Sequence, residues 1–188
     1  DLMLGGGAKF FDPKTRRDKR DLFGDFRAAG YHLMDSRDQL ASAPLDKPWL
    51  GTFARSHVPF TVDHKNSAKH REKVPTLAEM TEAALKHLSR APHFILQVEG
   101  GRVDHGCHSC DAAGALYDQI AFDEALEVCL DFQKRVPDTL LVITTDHGTV
   151  RVTEPSKIVG DRNTNTNLRY KHGRNLTYEA RDVLAIKD

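Results

Sequence analysis

Carboxylate and imidazole side chains cluster at two points of the sequence, each directly after a run of apolar residues. The first cluster contains Glu99, Asp104 and His108, with the spacing Glu-x4-Asp-x3-His. The second is the adjacent pair Asp146 and His147. Zinc takes imidazole nitrogen and carboxylate oxygen, whereas an isolated carboxylate suits magnesium better. One Asp-His pair alone is usually a surface feature, but two clusters of this kind indicate a site for divalent metal ions.

The spacing within each cluster limits which residues share an ion. Asp104 and His108 are four residues apart, so one helical turn or a tight loop brings both side chains together. Side chains of consecutive strand residues diverge, so Asp146 and His147 share an ion only if the strand ends there, and Gly148 allows such an end. The spacing therefore allows each pair to share an ion, the first through a helical turn or a tight loop and the second through a strand end.

The elements that must position these residues are two strands and the helix between them. The apolar runs at residues 94–99 and 140–145 predict strands buried on both faces, and residues 111–136 predict a helix. A strand-helix-strand order predicts parallel neighbours in an α/β layered domain, with a mainly parallel sheet flanked by helices. Ligands bind beyond the carboxyl ends of such strands, so all five residues are expected along one edge.

Three further elements are predicted from apolar spacing and end signals: a strand running into a turn over residues 2–7, a helix over residues 22–29 and a helix over residues 77–89. Gly30 provides the stop for the first helix, and Thr76 with Glu79 forms a capping box for the second. Residues 41–74 predict an irregular excursion. It is long for a loop in a compact domain, so it is expected to carry function or cover a site.

Composition excludes several classes of protein. With 39% apolar and 29% charged residues among 188, the chain is expected to be globular and to fill a single partial domain over residues 1–188. The net charge of +0 favours no nucleic-acid partner, and the apolar runs are too short to span a membrane. The chain opens at Asp1 within a predicted strand, so it is expected to be a fragment or a processed product.

The three cysteines do not form a disulfide framework. Cys107 and Cys110 are expected either to pair with each other or to remain thiols, and as a single Cys-x2-Cys they are weak support for zinc. Cys129 lies in the apolar stripe of the predicted helix, which indicates a buried thiol.

Several motifs resemble those of the alkaline phosphatase family. Residues 98–108 (VEGGRVDHGCH) resemble its V-E-G-G-R-I-D-H-x-x-H, and residues 139–148 (TLLVITTDHG) resemble its T-L-V-I-V-T-A-D-H. Between them, residues 121–125 (AFDEA) match the family's connecting helix. Upstream, the same resemblance extends in order through residues 4–7 (LGGG), 53–60 (FARSHVPF) and 75–81 (PTLAEMT).

The resemblance implies a partial alkaline-phosphatase-like layered fold with two zinc ions and one magnesium ion. It implies a metal ligand set that assigns Glu99 to magnesium, Asp104 and His108 to the first zinc, and Asp146 and His147 to the second zinc. His105 falls where the family places a lysine or histidine near the phosphate. It would help to hold the substrate or the water of the third metal.

The activity that the resemblance implies is hydrolysis of phosphate monoesters through a phosphoserine intermediate. The family's nucleophile motif is not found around Ser36, which is interpreted as a loop serine, so the nucleophile is expected upstream of Asp1 and this chain alone is expected to be inactive. The remaining ligand of the first zinc is expected at His172 or beyond Asp188. A periplasmic or secreted location and a possible homodimer are also implied.

Two other interpretations remain open. Another hydrolase of the same superfamily, such as a phosphodiesterase or a sulfatase, shares the Asp-His strand end but usually lacks the Glu-Gly-Gly-Arg-x-Asp-His run. A non-catalytic metal-binding fragment would keep the fold without the nucleophile.

Overall fold

The computed structural model describes residues 1–145 and residue 147. Three strands form the sheet: β1 (Leu2–Gly5), β2 (His32–Met34) and β3 (Trp49–Thr52). The helices are α1 (Leu22–Ala28), α2 (Arg37–Ala41), α3 (Thr61–Asn66), α4 (Ala68–Lys73), α5 (Leu77–Leu88), α6 (Gly101–His108) and α7 (Ala112–Arg135), with a short 3-10 helix at Ala8–Phe10. The longest helix, α7, packs against α3, α5 and α6.

The sheet is parallel, in the order β1-β3-β2. Trp49 at the start of β3 is in register with Leu2 on one side and His32 on the other. All four residues of the central strand β3 are buried, as expected for a parallel strand covered on both faces. The predicted α/β class, with a parallel sheet flanked by helices, is therefore confirmed.

The apolar core lies where the sheet meets the helices. Trp49 is its largest buried side chain and is 1% exposed. Its indole Nε1 donates a hydrogen bond of 2.7 Å to the Pro44 carbonyl, which satisfies the one polar group that burial would otherwise penalise. Trp49 belongs to a cluster of buried side chains whose other members are Met34, Leu40, Phe53, Val74 and Met80.

The helices with clear end signals form as predicted. Gly30 follows α1 with a φ of +87°, the left-handed conformation that ends a helix. At the start of α5, the Glu79 amide donates to Thr76 Oγ1 at 3.2 Å and the Thr76 amide donates to Glu79 Oε2 at 2.9 Å. These two bonds are the predicted capping box. The predicted strand at the start of the chain and the helix over residues 111–136 are confirmed as β1 and α7.

The prediction that residues 41–74 are irregular is wrong, because they contain β3, α3 and α4. The strand β3 has only four residues and includes Gly51, so it shows neither alternation nor a long apolar run. A Cβ atom at Gly51 would lie 2.6 Å from Phe53 Cζ and 2.8 Å from Leu4 Cδ2. Gly51 thus leaves room for the side chains of Phe53 and of Leu4 in β1, and the contact with Leu4 is a tertiary one that the local sequence does not reveal.

The predicted strands at residues 94–99 and 140–145 are not strands, and the prediction that they are parallel neighbours is therefore wrong. Phe94, Leu96 and Val98 are half-buried, and their neighbours Ile95 and Gln97 are exposed. This alternation shows that one side of the segment lies against the protein. A run of apolar residues indicates that a segment tends to be buried. A strand also requires the backbone of a partner strand to complete its hydrogen bonds.

Candidate metal and phosphate site

The helix α6 carries Asp104, His105 and His108, three of the residues that the sequence singled out. Because α6 is helical, Asp104 and His108 lie one turn apart on the same face. Asp104 Oδ1 is 3.4 Å from His108 Nε2, and the two side chains are 40% and 64% exposed. An oxygen and a nitrogen at this distance, both open to solvent, can turn towards one divalent ion. The predicted proximity of this pair is confirmed.

Two glycines hold α6 close to α7. A Cβ atom at Gly106 would lie 2.6 Å from the Ala115 amide nitrogen, and one at Gly100 would lie 2.9 Å from the Phe122 ring. Both distances are too short for any larger residue without movement of the backbone or the ring. The separation between the helix that carries the candidate ligands and α7 therefore depends on these glycines.

The turn between α6 and α7 is fixed by Asp111, whose side chain is 1% exposed. Its backbone amide donates to the Gly106 carbonyl at 2.9 Å, and its carboxylate accepts from the Gly114 amide at 2.9 Å. A carboxylate at a helix N-terminus satisfies a free amide and interacts favourably with the helix dipole. Asp111 thus joins the end of α6 to the start of α7.

His57 lies beside His105, with ring centroids 4.3 Å apart and planes inclined by 52°. The segment that contains His57 is held by the loop after β1, where the Gly7 amide donates to the Ser56 carbonyl at 2.6 Å. A Cβ atom at Gly6 would lie 2.1 Å from the same carbonyl oxygen, so only glycine fits. In addition, Lys9 Nζ donates to Ser56 Oγ at 3.0 Å. The motif at residues 53–60 and the motif at residues 98–108, which are far apart in the sequence, therefore lie next to each other at α6.

Arg102, in the first turn of α6, lies among acidic residues. Its guanidinium carbon is 3.6 Å from the centroid of the Phe60 ring. Burial lowers the pKa of the Arg102 guanidinium from its usual value, and the carboxylates of Asp118, Asp63 and Asp111 act in the opposite direction. This environment desolvates the cation without removing its charge at neutral pH.

Asp118 connects α7 with the start of α3. Its carboxylate accepts hydrogen bonds from the Thr61 amide at 3.0 Å and from Thr61 Oγ1 at 3.1 Å. Burial raises the pKa of the Asp118 carboxyl above its usual value, while the bonds from Thr61 and the charge of Arg102 partly oppose that rise. Nearby Asp63 raises the pKa further because two negative charges repel.

Sequence reasoning missed His57, Arg102 and Asp118 as parts of this region. Arg102 and His57 lie inside motifs that carried the family resemblance, and that was the available signal. Asp118 lies outside those motifs, and its importance comes only from its contact with α3.

Of the remaining predicted ligands, the described residues Glu99 and His147 do not form a metal-binding group with the Asp104–His108 pair. Glu99 is exposed just before α6, and its carboxylate lies beside Gly101, with Oε1 3.1 Å from the position of a Cβ atom there. His147 is exposed, and Asp146 and His172 lie outside the described residues. Within residues 1–145 and 147, no group of three or more His, Cys, Asp or Glu side chains lies close enough to hold one metal ion.

The three cysteines, which are all described, are free thiols. Cys107 is half-buried, and burial raises the pKa of its thiol, as do the charges at Asp104 and Cys110. A raised pKa keeps a thiol protonated and unreactive at neutral pH. Of the two states expected for Cys107 and Cys110, the structure shows the unpaired one.

A family model described as alkaline phosphatase matches residues 1–180. The chain belongs to the alkaline phosphatase family. The match extends over nearly the whole chain and includes every motif on which the resemblance was based. The family predicted from the sequence is confirmed.

Individual members of the alkaline phosphatase family show the same relationship. The streptomycin-6-phosphate phosphatase of Streptomyces griseus is 36% identical over 174 residues, which cover 79% of this chain and 38% of that protein. Alkaline phosphatase 3 of Bacillus subtilis strain 168 is 35% identical over 150 residues, 79% of this chain and 30% of that protein. The crystal structure of Thermus thermophilus alkaline phosphatase superposes with a TM-score of 0.67 at 40% identity, over 73% of this chain and 28% of that one.

The chain thus spans less than two fifths of the length of each of these alkaline phosphatase relatives. Among the residues that the structure describes, no helix is long and apolar enough to cross a membrane.

Proposed function

We propose that this protein hydrolyses phosphate monoesters through a phosphoserine intermediate, with this chain providing metal ligands and with the nucleophilic serine upstream of Asp1. The observation that carries the proposal is the Asp104–His108 pair, whose oxygen and nitrogen lie 3.4 Å apart on one face of α6. Membership of the alkaline phosphatase family supports the reaction class.

The donor set of α6 fits half of a zinc site. A carboxylate and an imidazole on one helical turn are hard and borderline ligands of the kind that zinc takes, and both are open to solvent. We assign Asp104 and His108 to the first zinc, Asp146 and His147 to the second, and Glu99 to magnesium. When bound, two zinc ions and a magnesium ion would stabilise the negative charge that develops on phosphoryl oxygens.

We assign His105, which lies beside His57, to the phosphate. It would donate a hydrogen bond to a phosphate oxygen or to a water near the third metal. A positive or hydrogen-bonding group there acts on the phosphate oxygens rather than on the leaving group.

Ser36 is an unsuitable nucleophile because its hydroxyl has another role. Its Oγ accepts a hydrogen bond of 3.4 Å from the Gln39 amide at the start of α2. Serine is among the residues that most often cap helices in this way. We therefore propose that the nucleophile and the phosphate-binding arginine lie upstream, and that this chain alone is inactive.

Metal analysis of single variants tests the ligand assignments. We expect Asp104→Ala and His108→Ala each to lose one zinc, and Asp146→Ala and His147→Ala each to lose the other. We expect Glu99→Ala to lose magnesium and keep zinc. His93→Ala, which removes an exposed histidine, is the matched control and should keep all three ions. An unchanged zinc count in both Asp104→Ala and His108→Ala would refute the assignment that carries the proposal.

Activity is tested with a chromogenic phosphate monoester, on this chain and on the chain extended by the sequence encoded before Asp1. We expect zinc-dependent turnover and stoichiometric serine phosphorylation in the extended protein only. An extended protein that binds zinc but hydrolyses no monoester would instead be a non-catalytic metal-binding protein. Turnover of diesters or sulfate esters in preference to monoesters would indicate another hydrolase of the superfamily.

The partners and location implied by the family remain proposals. We propose a periplasmic or secreted protein that forms a homodimer and does not bind nucleic acid, in keeping with its net charge of +0. Analytical ultracentrifugation and cell fractionation test the dimer and the location.

A further inference from the structure

The rotation of α6 about its own axis decides where its ligands point. Successive helical residues are about 100° apart, so Arg102 and Asp104 lie on nearly opposite sides of α6, whereas Asp104 and His108 share one side. A group that holds the Arg102 side in place therefore fixes the direction in which the Asp104–His108 side faces. The glycine contacts of α6 set its distance from α7.

Arg102 is held on the ring of Phe60. The guanidinium carbon lies 3.6 Å from the ring centroid, which is a close cation–π contact. The Nε atom of Arg102 is buried and has no hydrogen-bond partner among the described residues. The ring face is thus a direct contact of this guanidinium, and the carboxylates of Asp118, Asp63 and Asp111 favour its charge.

Phe60 is itself fixed to α7. The next residue, Thr61, donates two hydrogen bonds to Asp118 in α7, at 3.0 and 3.1 Å. Phe60 is 1% exposed, and its Cδ1 would lie 3.3 Å from a Cβ atom at Gly114. The amide of Gly114 donates the hydrogen bond to the Asp111 carboxylate. The ring thus lies against the first turn of α7.

We infer that Arg102 is a positioning residue that fixes the rotation of α6 against Phe60 and thereby aims Asp104 and His108 together at one metal ion. This inference rests on the proposed function. The carboxylates of Asp63, Asp111 and Asp118, which favour the charge of Arg102, would oppose a phosphate at its side chain.

Zinc titration of variants of the extended protein tests this role with zinc ion alone as the probe, because this chain by itself is proposed to hold only part of the site. Arg102→Met removes the charge and keeps an unbranched chain, and we expect it to weaken zinc binding by about 10-fold to 100-fold, as for other residues that orient metal ligands. Arg102→Lys keeps a cation and should recover part of the affinity. Arg27→Met, at an exposed arginine of α1, is the control and should bind zinc as the unsubstituted protein does.

A second measurement needs no metal. In the metal-free protein, we expect amide hydrogen exchange in residues 101–108 to be faster in Arg102→Met than in Arg27→Met, because α6 has lost a lateral contact. Circular dichroism confirms that both variants are folded. If Arg102→Met does not fold, Phe60→Leu replaces it, since it removes the ring face and leaves an apolar side chain in the core.

Unchanged zinc affinity in a folded Arg102→Met or Phe60→Leu variant would overturn the inference and leave the proposed function standing. If the unsubstituted protein binds no zinc, the proposed function fails and the inference fails with it. Weakened zinc affinity in Arg102→Met, together with unchanged zinc affinity in Arg27→Met, supports both the inference and the proposed function.

Discussion

Asp118 is the buried carboxylate on which α3 depends for the hydrogen bonds at its first turn. Its side chain accepts from the amide and the hydroxyl of Thr61, and burial raises its pKa. The charged carboxylate of Asp118 is well hydrogen-bonded but poorly hydrated. Its protonation therefore differs between the folded and unfolded states, so the stability of this junction depends on pH. The exposed Asp131 has the opposite shift, a lowered pKa.

We predict that the free energy of unfolding of the unsubstituted protein falls relative to Asp118→Asn as the pH rises from about 4 through the raised pKa of Asp118. In that window the folded state binds more protons than the unfolded state, so stability is lost with rising pH at no more than about 1.4 kcal/mol per pH unit. Urea unfolding at a series of pH values measures the difference between the two proteins.

Asp131→Asn provides the control of opposite sign. The hydrogen bond from Lys134 lowers the pKa of Asp131, so its contribution is present above about pH 4 and is lost as the pH falls below that value. Parallel pH profiles for unsubstituted protein and Asp118→Asn would show that the Asp118 carboxyl has no raised pKa.

The candidate ligands Asp104 and His108 are a residue pair that the sequence predicted well. Their contact depends only on a four-residue spacing and on the local helix. The contacts of His105 with His57 and of Arg102 with Phe60 depend on chain segments more than forty positions away, so no local pattern reports them.

At the scale of elements, the packing of α6 on α7 is controlled by Gly106. A Cβ atom there would lie 2.6 Å from a backbone nitrogen, which cannot rotate away as a side chain can. The same helix carries the candidate ligands, so its separation from α7 bears on both stability and metal binding.

We predict that Gly106→Ala destabilises the protein by about 1–3 kcal/mol, because the added methyl group forces α6 and α7 apart. Zinc affinity should fall as well, since Asp104 and His108 move with α6. Gly24→Ala is the matched control in α1, where the nearest atom is the flexible end of the Asp21 side chain at 2.9 Å.

The control should be neutral or stabilising, because alanine is favoured over glycine in a helix by about 1 kcal/mol. Thermal unfolding and zinc titration of both variants make the comparison. Equal stability of Gly106→Ala and Gly24→Ala would contradict the close packing of α6 on α7.

At the scale of the whole molecule, the chain exposes large apolar side chains in the two segments that were predicted to be strands. Ile95 is 97% exposed and Leu140 is 87% exposed, with Val142 and Ile143 also exposed. Exposed apolar segments with free backbone groups are potential sites of association.

We predict that Ile95→Lys and Leu140→Lys reduce light scattering and binding of a hydrophobic dye by this chain, because each removes an exposed apolar side chain and adds a charge. The free energy of unfolding should change by no more than about 0.5 kcal/mol, as for other surface positions. Ala84→Lys, at a buried position of α5, is the contrasting variant and should unfold the protein.

The sequence by itself determined the family, the α/β class, the glycine stop after α1, the capping box of α5, and the Asp104–His108 pair. Each of these depends on motifs or on interactions between residues a few positions apart, so a short stretch of sequence contains the whole signal. The prediction of one partial domain over residues 1–188 remains a prediction, as does the pairing of Asp146 with His147.

Only the tertiary structure decided which strands form the sheet and what surrounds α6. The apolar segment at residues 94–99 has a stronger strand pattern than Trp49–Thr52, yet β3 is the central strand because β1 and β2 lie on both sides of it. Strand pairing and contacts such as Arg102 with Phe60 join distant parts of the chain. Their formation depends on whether a partner is brought within reach, which local propensity does not specify.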